Sequence, residues 1–259
     1  MTIADASLPR TPSFRLDGRR ALVTGGSRGI GHAAAAALAE AGASVTLAAR
    51  GRAEVEAAAQ SICAAGGAAE GWVLDVADLD AVRDGIEARA PFDILVNNVG
   101  TNRPAPFLDV SVADFDAVMA LNLRAAFFVA QAVARRQVAA GLAGSIIHVS
   151  SQMGHVGGAG RTVYCASKHA IEGLTKAMAI DLAPSRIRVN SLCPTFIETP
   201  LTAPFLEDAR FRNDVLGRIK LGRLGTVEDL MGAILFLASD ASALMTGASL
   251  LIDGGWTAD

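Results

Sequence analysis

Tyrosine occurs once in this chain of 259 residues, tryptophan twice and cysteine three times, and each scarcity excludes something. Cys63, Cys165 and Cys193 are odd in number, widely separated and without a CxxC pair. Neither a disulfide framework nor a zinc knuckle is expected; small thiols in a reducing compartment are. The four histidines, His32, His148, His155 and His169, show no metal-ligand spacing to Cys, Asp or Glu, so no metal is expected. No stretch of about twenty unbroken apolar residues is present for a membrane span. The opening MTIADASLPRTPSFR holds prolines and an aspartate but no apolar run of a signal peptide. Excess positive charge is missing too. A formal net charge of −3 argues against a phosphate-backbone binder. These absences predict a cytoplasmic protein without nucleic-acid or membrane partners, its residues 1–15 forming a flexible arm able to dock on a neighbouring subunit.

Apolar residues are plentiful, at 51% of the chain, enough for a sizeable core. Short runs rich in Val, Ile and Leu at 21–24, 44–49, 72–75, 94–97, 145–149, 188–192 and 249–252 read as strands buried on both faces. Helical periodicity fills 31–41, 53–65, 114–140, 166–182 and 227–238. Strand and helix in alternation mean βαβ units, hence an α/β, doubly wound, mostly parallel seven-stranded sheet with helices on both faces. No linker or repeat divides residues 16–259, which are expected to form one domain.

The first strand runs directly into Thr24-Gly25-Gly26-Ser27-Arg28-Gly29-Ile30-Gly31 and then a helix. A glycine-rich turn of this kind lets backbone N–H groups approach a pyrophosphate at a helix N-terminus. The second strand ends in Ala49-Arg50, where a binder of the 2′-hydroxyl form of the dinucleotide carries an acid. A carboxylate there would repel a 2′-phosphate and an arginine would pair with it. Arg50, with Arg28 from the turn, therefore favours NADP(H) over NAD.

Tyr164 stands four residues before Lys168, so phenol and ammonium share one helix face. A phenol with a reference pKa near 10 is a poor proton shuttle at neutral pH, and a nearby ammonium stabilises the phenolate. Ser150 and Ser151 follow a buried run, at the sheet edge where open α/β folds bind ligands. A hydroxyl there suits the oxygen of a reacting carbonyl.

These pieces resemble the short-chain dehydrogenase/reductase family over nearly the whole chain. The resemblance rests on TGGSRGIG from Thr24, Leu74-Asp75-Val76, Asn97-Asn98-Val99-Gly100, Asn122, Ser150-Ser151, Tyr164-Cys165-Ala166-Ser167-Lys168, the segment 190–200 and the ending Leu251-Ile252-Asp253-Gly254-Gly255. It implies a Rossmann-type NADP(H)-binding domain that moves a hydride between nicotinamide and a carbonyl/secondary alcohol pair. Tyr164 is then the general acid/base, Ser151 the substrate-orienting hydroxyl, Lys168 the residue gripping the nicotinamide ribose, and Asn122 the shaper of a proton relay. Gly25, Ser27, Arg28, Gly29, Ile30 and Gly31 hold the phosphates, Asp75 and Val76 edge the adenine, and Asn98 and Gly100 line the cofactor floor beside Asn97. Pro194, Ile197 and Thr199 meet the nicotinamide side. Two positions depart from the family pattern: Val99 replaces an alanine and Thr195 a glycine.

For the substrate, Gln152, His155 and Phe196 are the candidates, with Thr101, Asn102 and Arg103 as a third wall. The segment 196–211 reads either as a lid packed on the body or as a slot for a large apolar substrate. The chain resembles both 3-oxoacyl-carrier-protein reductase-like and gluconate 5-dehydrogenase-like members, which leaves a generic carbonyl reductase and a sugar-acid or polyol dehydrogenase both open. A silent nucleotide sensor and a pure scaffold are the rival classes; the intact Ser151, Tyr164 and Lys168 argue against the first and the glycine turn against the second. The resemblance further implies a homotetramer joined through the helices at 114–140 and 166–182 and through the C-terminal strand region.

Overall fold

Seven strands form in the computed structural model, which describes residues 8–258. They are β1 (Arg20–Thr24), β2 (Ser44–Ala49), β3 (Ala68–Val73), β4 (Ile94–Asn97), β5 (Gly144–Val149), β6 (Ile187–Pro194) and β7 (Ser249–Ile252). The sheet order is β3-β2-β1-β4-β5-β6-β7, and every neighbouring pair runs parallel. From β1 the chain winds outward to β3, returns to β4 and winds the other way. The crevice between the carboxyl ends of β1 and β4 is therefore the topological switch point, where such sheets bind ligands.

Alternation along the central strands sends successive side chains to opposite faces. Ala21, Val23, Val45, Leu47, Ile147 and Leu192 join one core with α1 (Gly29–Glu40), α2 (Arg52–Ala64) and α9 (Glu228–Ala238). Leu22, Ala48, Leu95, Ile146 and Val189 join the other with α3 (Leu79–Glu87), α5 (Ala126–Ala139) and α6 (Thr162–Leu182). Each fully buried Leu or Ile contributes about 1.5–3 kcal/mol by leaving water. The apolar runs of the sequence are these two-sided strands.

β3 lies four residues earlier than its expected start at residue 72. As an edge strand it pairs only with β2, from Ser44↔Ala68 to Ala49↔Val73, and most of its residues are exposed. No apolar run marks such a strand; the Trp-Val-Leu cluster caught only its end. The short α3 carries no long periodic signal either, yet Asp78 caps it by accepting from the Ala81 N–H at 3.0 Å.

The helix expected at 114–140 is α4 (Val112–Met119), a π-turn over Ala120–Ala125, and α5 in continuous succession. Among the described residues it is long and apolar enough to cross a membrane, with a hydropathy of 1.6. Val118, Asn122, Val129, Val133 and Gln137 are nonetheless buried in the body. Its outer face keeps Phe115, Phe127 and Phe128 exposed. Residues 8–13 of the N-terminal segment have no regular structure and are exposed, residues 1–7 lie outside the described residues, and attachment to the body begins where Phe14 meets Phe236 and Arg15 donates to the Glu40 carbonyl.

His148 on β5 is wholly buried, and its Nε2 has no hydrogen-bond partner among the described residues. Burial pushes its pKa down to about 4, so folding requires the neutral ring. Between pH 6.5 and 4 the unfolded chain binds the extra proton, and stability falls as pH drops through that window, by up to about 3 kcal/mol. In His148→Leu, urea midpoints between pH 4 and 6.5 should fall less steeply than in the wild type; parallel slopes would remove His148 as the cause.

Candidate active site

Four loops leave the carboxyl edge of the sheet together, and each delivers one part of the site. After β1 comes the glycine turn. Gly25 and Gly29 hold φ of +65° and +55°, which residues with a side chain rarely adopt. A Cβ on Gly31 would collide with the Gly25 carbonyl oxygen and stand 2.6 Å from Asn98 Nδ2. α1 starts at Gly29 without a side-chain cap, while Ser111 and Asp208 cap α4 and α8 (Ala209–Arg218). The first-turn N–H groups of α1 are thus left for an incoming anion. Arg28 and Arg50 are exposed at this end, and no acid of the described residues pairs with either. The cradle and the charges fit a dinucleotide carrying a 2′-phosphate.

The loop after β4 locks that turn. Asn98 Nδ2 donates to the carbonyls of Thr24 at 3.0 Å and Gly25 at 3.3 Å, and its N–H donates to Thr24 Oγ1. Asn97 points inward and donates to the Ala126 carbonyl at 2.7 Å. Val99, the first departure, packs against Gly25, since a Cβ there would meet Val99 Cγ2 at 3.2 Å. Gly100 is followed by Thr101, whose N–H donates to Asn122 Oδ1 at 2.7 Å. Asn122 Nδ2 donates to the Thr101 carbonyl at 2.9 Å and to Ser167 Oγ at 3.1 Å. The π-turn carries Asn122 inward, and its amide is consumed in tying this loop to α6.

Ser151 follows β5. Its Oγ donates to Gln152 Oε1 at 2.8 Å and accepts the Met153 N–H at 3.1 Å, so it caps a short turn as well as facing the cleft. α6 begins at Thr162, four residues before the expected start, which puts Tyr164 in its first turn. Lys168 Nζ donates to the Val149 carbonyl at 2.9 Å and lies 5.6 Å from the Tyr164 ring centroid.

The electrostatics differ from the expectation of a phenol pulled down by its lysine. Burial holds the Tyr164 phenol above its ordinary value, against the lowering by the Ser151 hydroxyl and the Arg161 charge. Burial also lowers Lys168, to about 8. The reason is geometric: the ammonium lies beside the ring and bonds to a backbone carbonyl, while the low-dielectric surroundings penalise both charges.

Tyr164, Lys168, Ser151, Gln152 and Phe196 line one cleft of about 150 Å³ together with Ile30, Asn98 and Gly100 from the nucleotide end. Thr101 and Asn102 form the expected third wall. Arg103 does not; it is tied to Asp114 at 2.6 Å on the surface. His155 is likewise absent from the cleft wall. Its Nε2 turns toward Cys193 Sγ at 3.5 Å and Glu172 Oε2 at 3.5 Å. Three donors thus come together from sequence positions whose spacing gave no metal signal. The Cys193 thiol donates to Glu172 and is pushed up to about 12 by burial and then by the Glu172 charge, so it stays protonated; Glu172 also accepts from Ser191 and Ser249.

Of the remaining cofactor-side candidates, Thr199 faces the glycine turn, 3.5 Å from where a Gly29 Cβ would stand. Pro194 ends β6, and Ile197 is buried, bridging to Gly225. Val76 is buried, and exposed Asp75 accepts the Ala77 N–H at 3.0 Å. The segment after β6 folds as α7 (Ala203–Leu206) and α8. Phe196, Leu206 and Val215 pack with Met153 and Cys165, while Leu201 and Phe205 reach the cleft; the segment is a packed cap that also lines the site. The second departure, Thr195, lines the cleft too. The sequence reading missed Arg161, which lies in the wall three residues before Tyr164. Its spacing of one helical turn from the tyrosine was the available signal.

A family profile described as enoyl-(acyl carrier protein) reductase matches residues 25–257. D-Erythrulose reductase from Gallus gallus is 41% identical over 245 residues, covering 95% of this chain and 98% of that protein. Gluconate 5-dehydrogenase from Gluconobacter oxydans (strain 621H) is 41% identical over 248 residues, covering 94% and 96%. Among solved structures, a gluconate 5-dehydrogenase from Burkholderia cenocepacia J2315 in complex with NADP and tartrate aligns with a TM-score of 0.91 at 42% identity, covering 95% of this chain and 98% of that one. With matching of this extent laid over this glycine turn and this cleft, the chain belongs to the short-chain dehydrogenase/reductase family.

Proposed function

We propose that this protein is an NADP(H)-dependent oxidoreductase that interconverts a ketone and a secondary alcohol in a small polyhydroxylated molecule. The observation that carries the reading is the single cleft in which Ser151, Tyr164 and Lys168 meet Ile30, Asn98 and Gly100. Its wall contains three buried polar atoms without partners among the described residues, Asn102 Oδ1, Ser150 Oγ and Thr195 Oγ1. Unsatisfied polar atoms in a binding wall favour a substrate rich in hydroxyls over an acyl chain. The relatives named for erythrulose and gluconate support the same class.

When bound at the glycine turn, NADP(H) supplies or accepts the hydride. Gly25, Ser27, Gly29, Ile30, Gly31 and Thr199 hold its phosphates, Arg28 and Arg50 its 2′-phosphate, Asp75 and Val76 its adenine side, and Pro194 and Ile197 its nicotinamide side. In reduction Tyr164 gives its proton to the carbonyl oxygen, which Ser151 positions; in oxidation Tyr164 takes it back. Lys168 holds the ribose beside Tyr164, and Asn122 fixes Thr101 and α6 so that this end of the cleft keeps its shape.

Oxidation of NADPH and NADH should be measured across ketoses, ketoacids and simple ketones. Turnover confined to simple apolar ketones would overturn the polyhydroxylated class, and consumption with none would overturn the enzyme. Arg50→Glu is expected to shift the NADPH/NADH ratio of kcat/KM toward NADH by about 10–100-fold, because a carboxylate replaces the cation facing the phosphate. An unchanged ratio would take Arg50 out of cofactor choice.

The exposed Phe115, Phe127, Phe128 and Ile180 on the two long helices, and Leu251 at β7, support a homotetramer; light scattering would read it. Three unpaired thiols support a cytoplasmic location.

A further inference from the structure

We propose that Arg161 is a carboxylate-binding residue of the cleft, and that the substrate pair is an anionic hydroxy acid and the corresponding oxo acid. This rests on the reading of the cleft as the place of hydride transfer. Arg161 is only 7% exposed. Its guanidinium carbon lies 5.7 Å, 5.2 Å and 5.4 Å from the ring centroids of Phe196, Phe205 and Phe211, so three aromatic faces fix its position. The side chain lines the cleft with Ser151, Tyr164 and Lys168.

None of its guanidinium donors finds an acceptor among the described residues, and no carboxylate pairs with it. Half-buried Arg188, by contrast, donates to Ser242 Oγ at 2.7 Å and to the Ser239 carbonyl at 3.1 Å. Arg103, Arg218 and Arg223 each hold an acid at the surface. Burial lowers the Arg161 pKa, yet a guanidinium keeps its proton at any pH a protein survives. The cleft therefore presents a permanent, desolvated cation with a planar fork of N–H donors one helical turn from the proton-transferring phenol. A carboxylate matches that fork with two parallel hydrogen bonds, whereas a neutral polyol offers no charge to offset the desolvation. The 2′-phosphate has its own cations, Arg28 and Arg50, which do not line this cleft.

The test compares matched pairs, D-gluconate with D-glucitol and tartrate with threitol. Each is followed as a substrate with NADP⁺ and as a ligand of the NADPH-loaded protein by calorimetry. Wild type should favour the acid of a pair, and Arg161→Met should cost that acid about 100-fold in KM or dissociation constant, more than it costs the neutral partner. Arg161→Lys, which keeps the charge, should recover part of the loss, and added salt should erode the wild-type preference. Equal binding of acid and alcohol by the wild type, equal weakening of both by Arg161→Met, or a tenfold weakening of NADPH itself would each overturn the proposal. Turnover of neutral polyols alone would sink the carboxylate site and leave the hydride-transfer reading standing. Arg161-dependent acid binding with no turnover of any ketone or alcohol would do the reverse.

Discussion

Tyr164→Phe should lower kcat about 10³-fold in both directions, within the 10²–10⁴ range typical of a positioned acid–base group, while the protein folds and binds NADPH as before. The substitution removes one hydroxyl and keeps the ring that packs against the cluster containing Met153, Cys165 and Phe196. No other tyrosine exists in the chain to take over. The Ser151 hydroxyl remains to hold the oxygen, which is why loss of the proton donor should fall on kcat more than on KM. The remaining activity is the part contributed by positioning. Thermal melting and NADPH fluorescence separate this outcome from misfolding. Turnover within a factor of a few of wild type would remove Tyr164 from the mechanism.

The direction of the phenol's pKa adds a pH dependence. Burial raises it, so at neutral pH the phenol is protonated and ready to donate. Reduction then needs no prior ionisation, whereas oxidation needs the phenolate. Oxidation should accordingly keep rising with pH across the neutral and alkaline range, and reduction should fall only where the phenol ionises. Profiles of the opposite sense would contradict the assignment.

The second large effect is expected at the other end of the cleft. Gly31→Ala places a methyl against the Gly25 carbonyl and 2.6 Å from Asn98 Nδ2. Both obstacles are held. Gly25 is fixed by its N–H bond to the Ala48 carbonyl at 2.8 Å, and Asn98 by its bonds to Thr24 and Gly25. Relief requires the turn to open, at a cost of about 1–3 kcal/mol for overpacking. The N–H groups proposed to meet the phosphates sit on that same turn. We expect NADPH affinity to fall at least about 100-fold and the melting temperature to drop by several degrees. Alanine at exposed Gly173, where an added Cβ meets nothing within 4 Å, is the control. Undiminished NADPH binding in Gly31→Ala would mean that close approach of the backbone is not what this glycine provides.

Much of this was legible in the chain. The central strands announce themselves because burial on both faces favours nearly continuous apolar runs, and β1, β2, β4 and β5 are of that kind. The glycine turn is readable because its restraint is local: positive φ and a close backbone approach act within seven residues. Tyr164 and Lys168 are readable because an α-helix fixes what lies one turn apart. The family resemblance supplied the order of these pieces, and the profile and relatives bear it out.

What failed to show in the sequence depends on contacts between distant segments. β3 carries no apolar signature because an edge strand needs none. His155 stands among the candidate substrate residues by its place after Ser151, but Glu172 and Cys193 turn it away from the cleft. Arg103 and Arg161 are indistinguishable as letters; one is neutralised by Asp114 at the surface and the other is enclosed by Phe196, Phe205 and Phe211. The lowering of the phenol's pKa by Lys168, inferred from spacing alone, gives way to burial because desolvation depends on everything packed around a group. Sequence by itself thus determined most of the elements, the glycine turn and the one-turn spacing of Tyr164 and Lys168, since covalent spacing dictates each of them. Only the tertiary structure decided which charges are paired and which are left lining the cleft, because pairing is settled by proximity in space and by the water that folding removes.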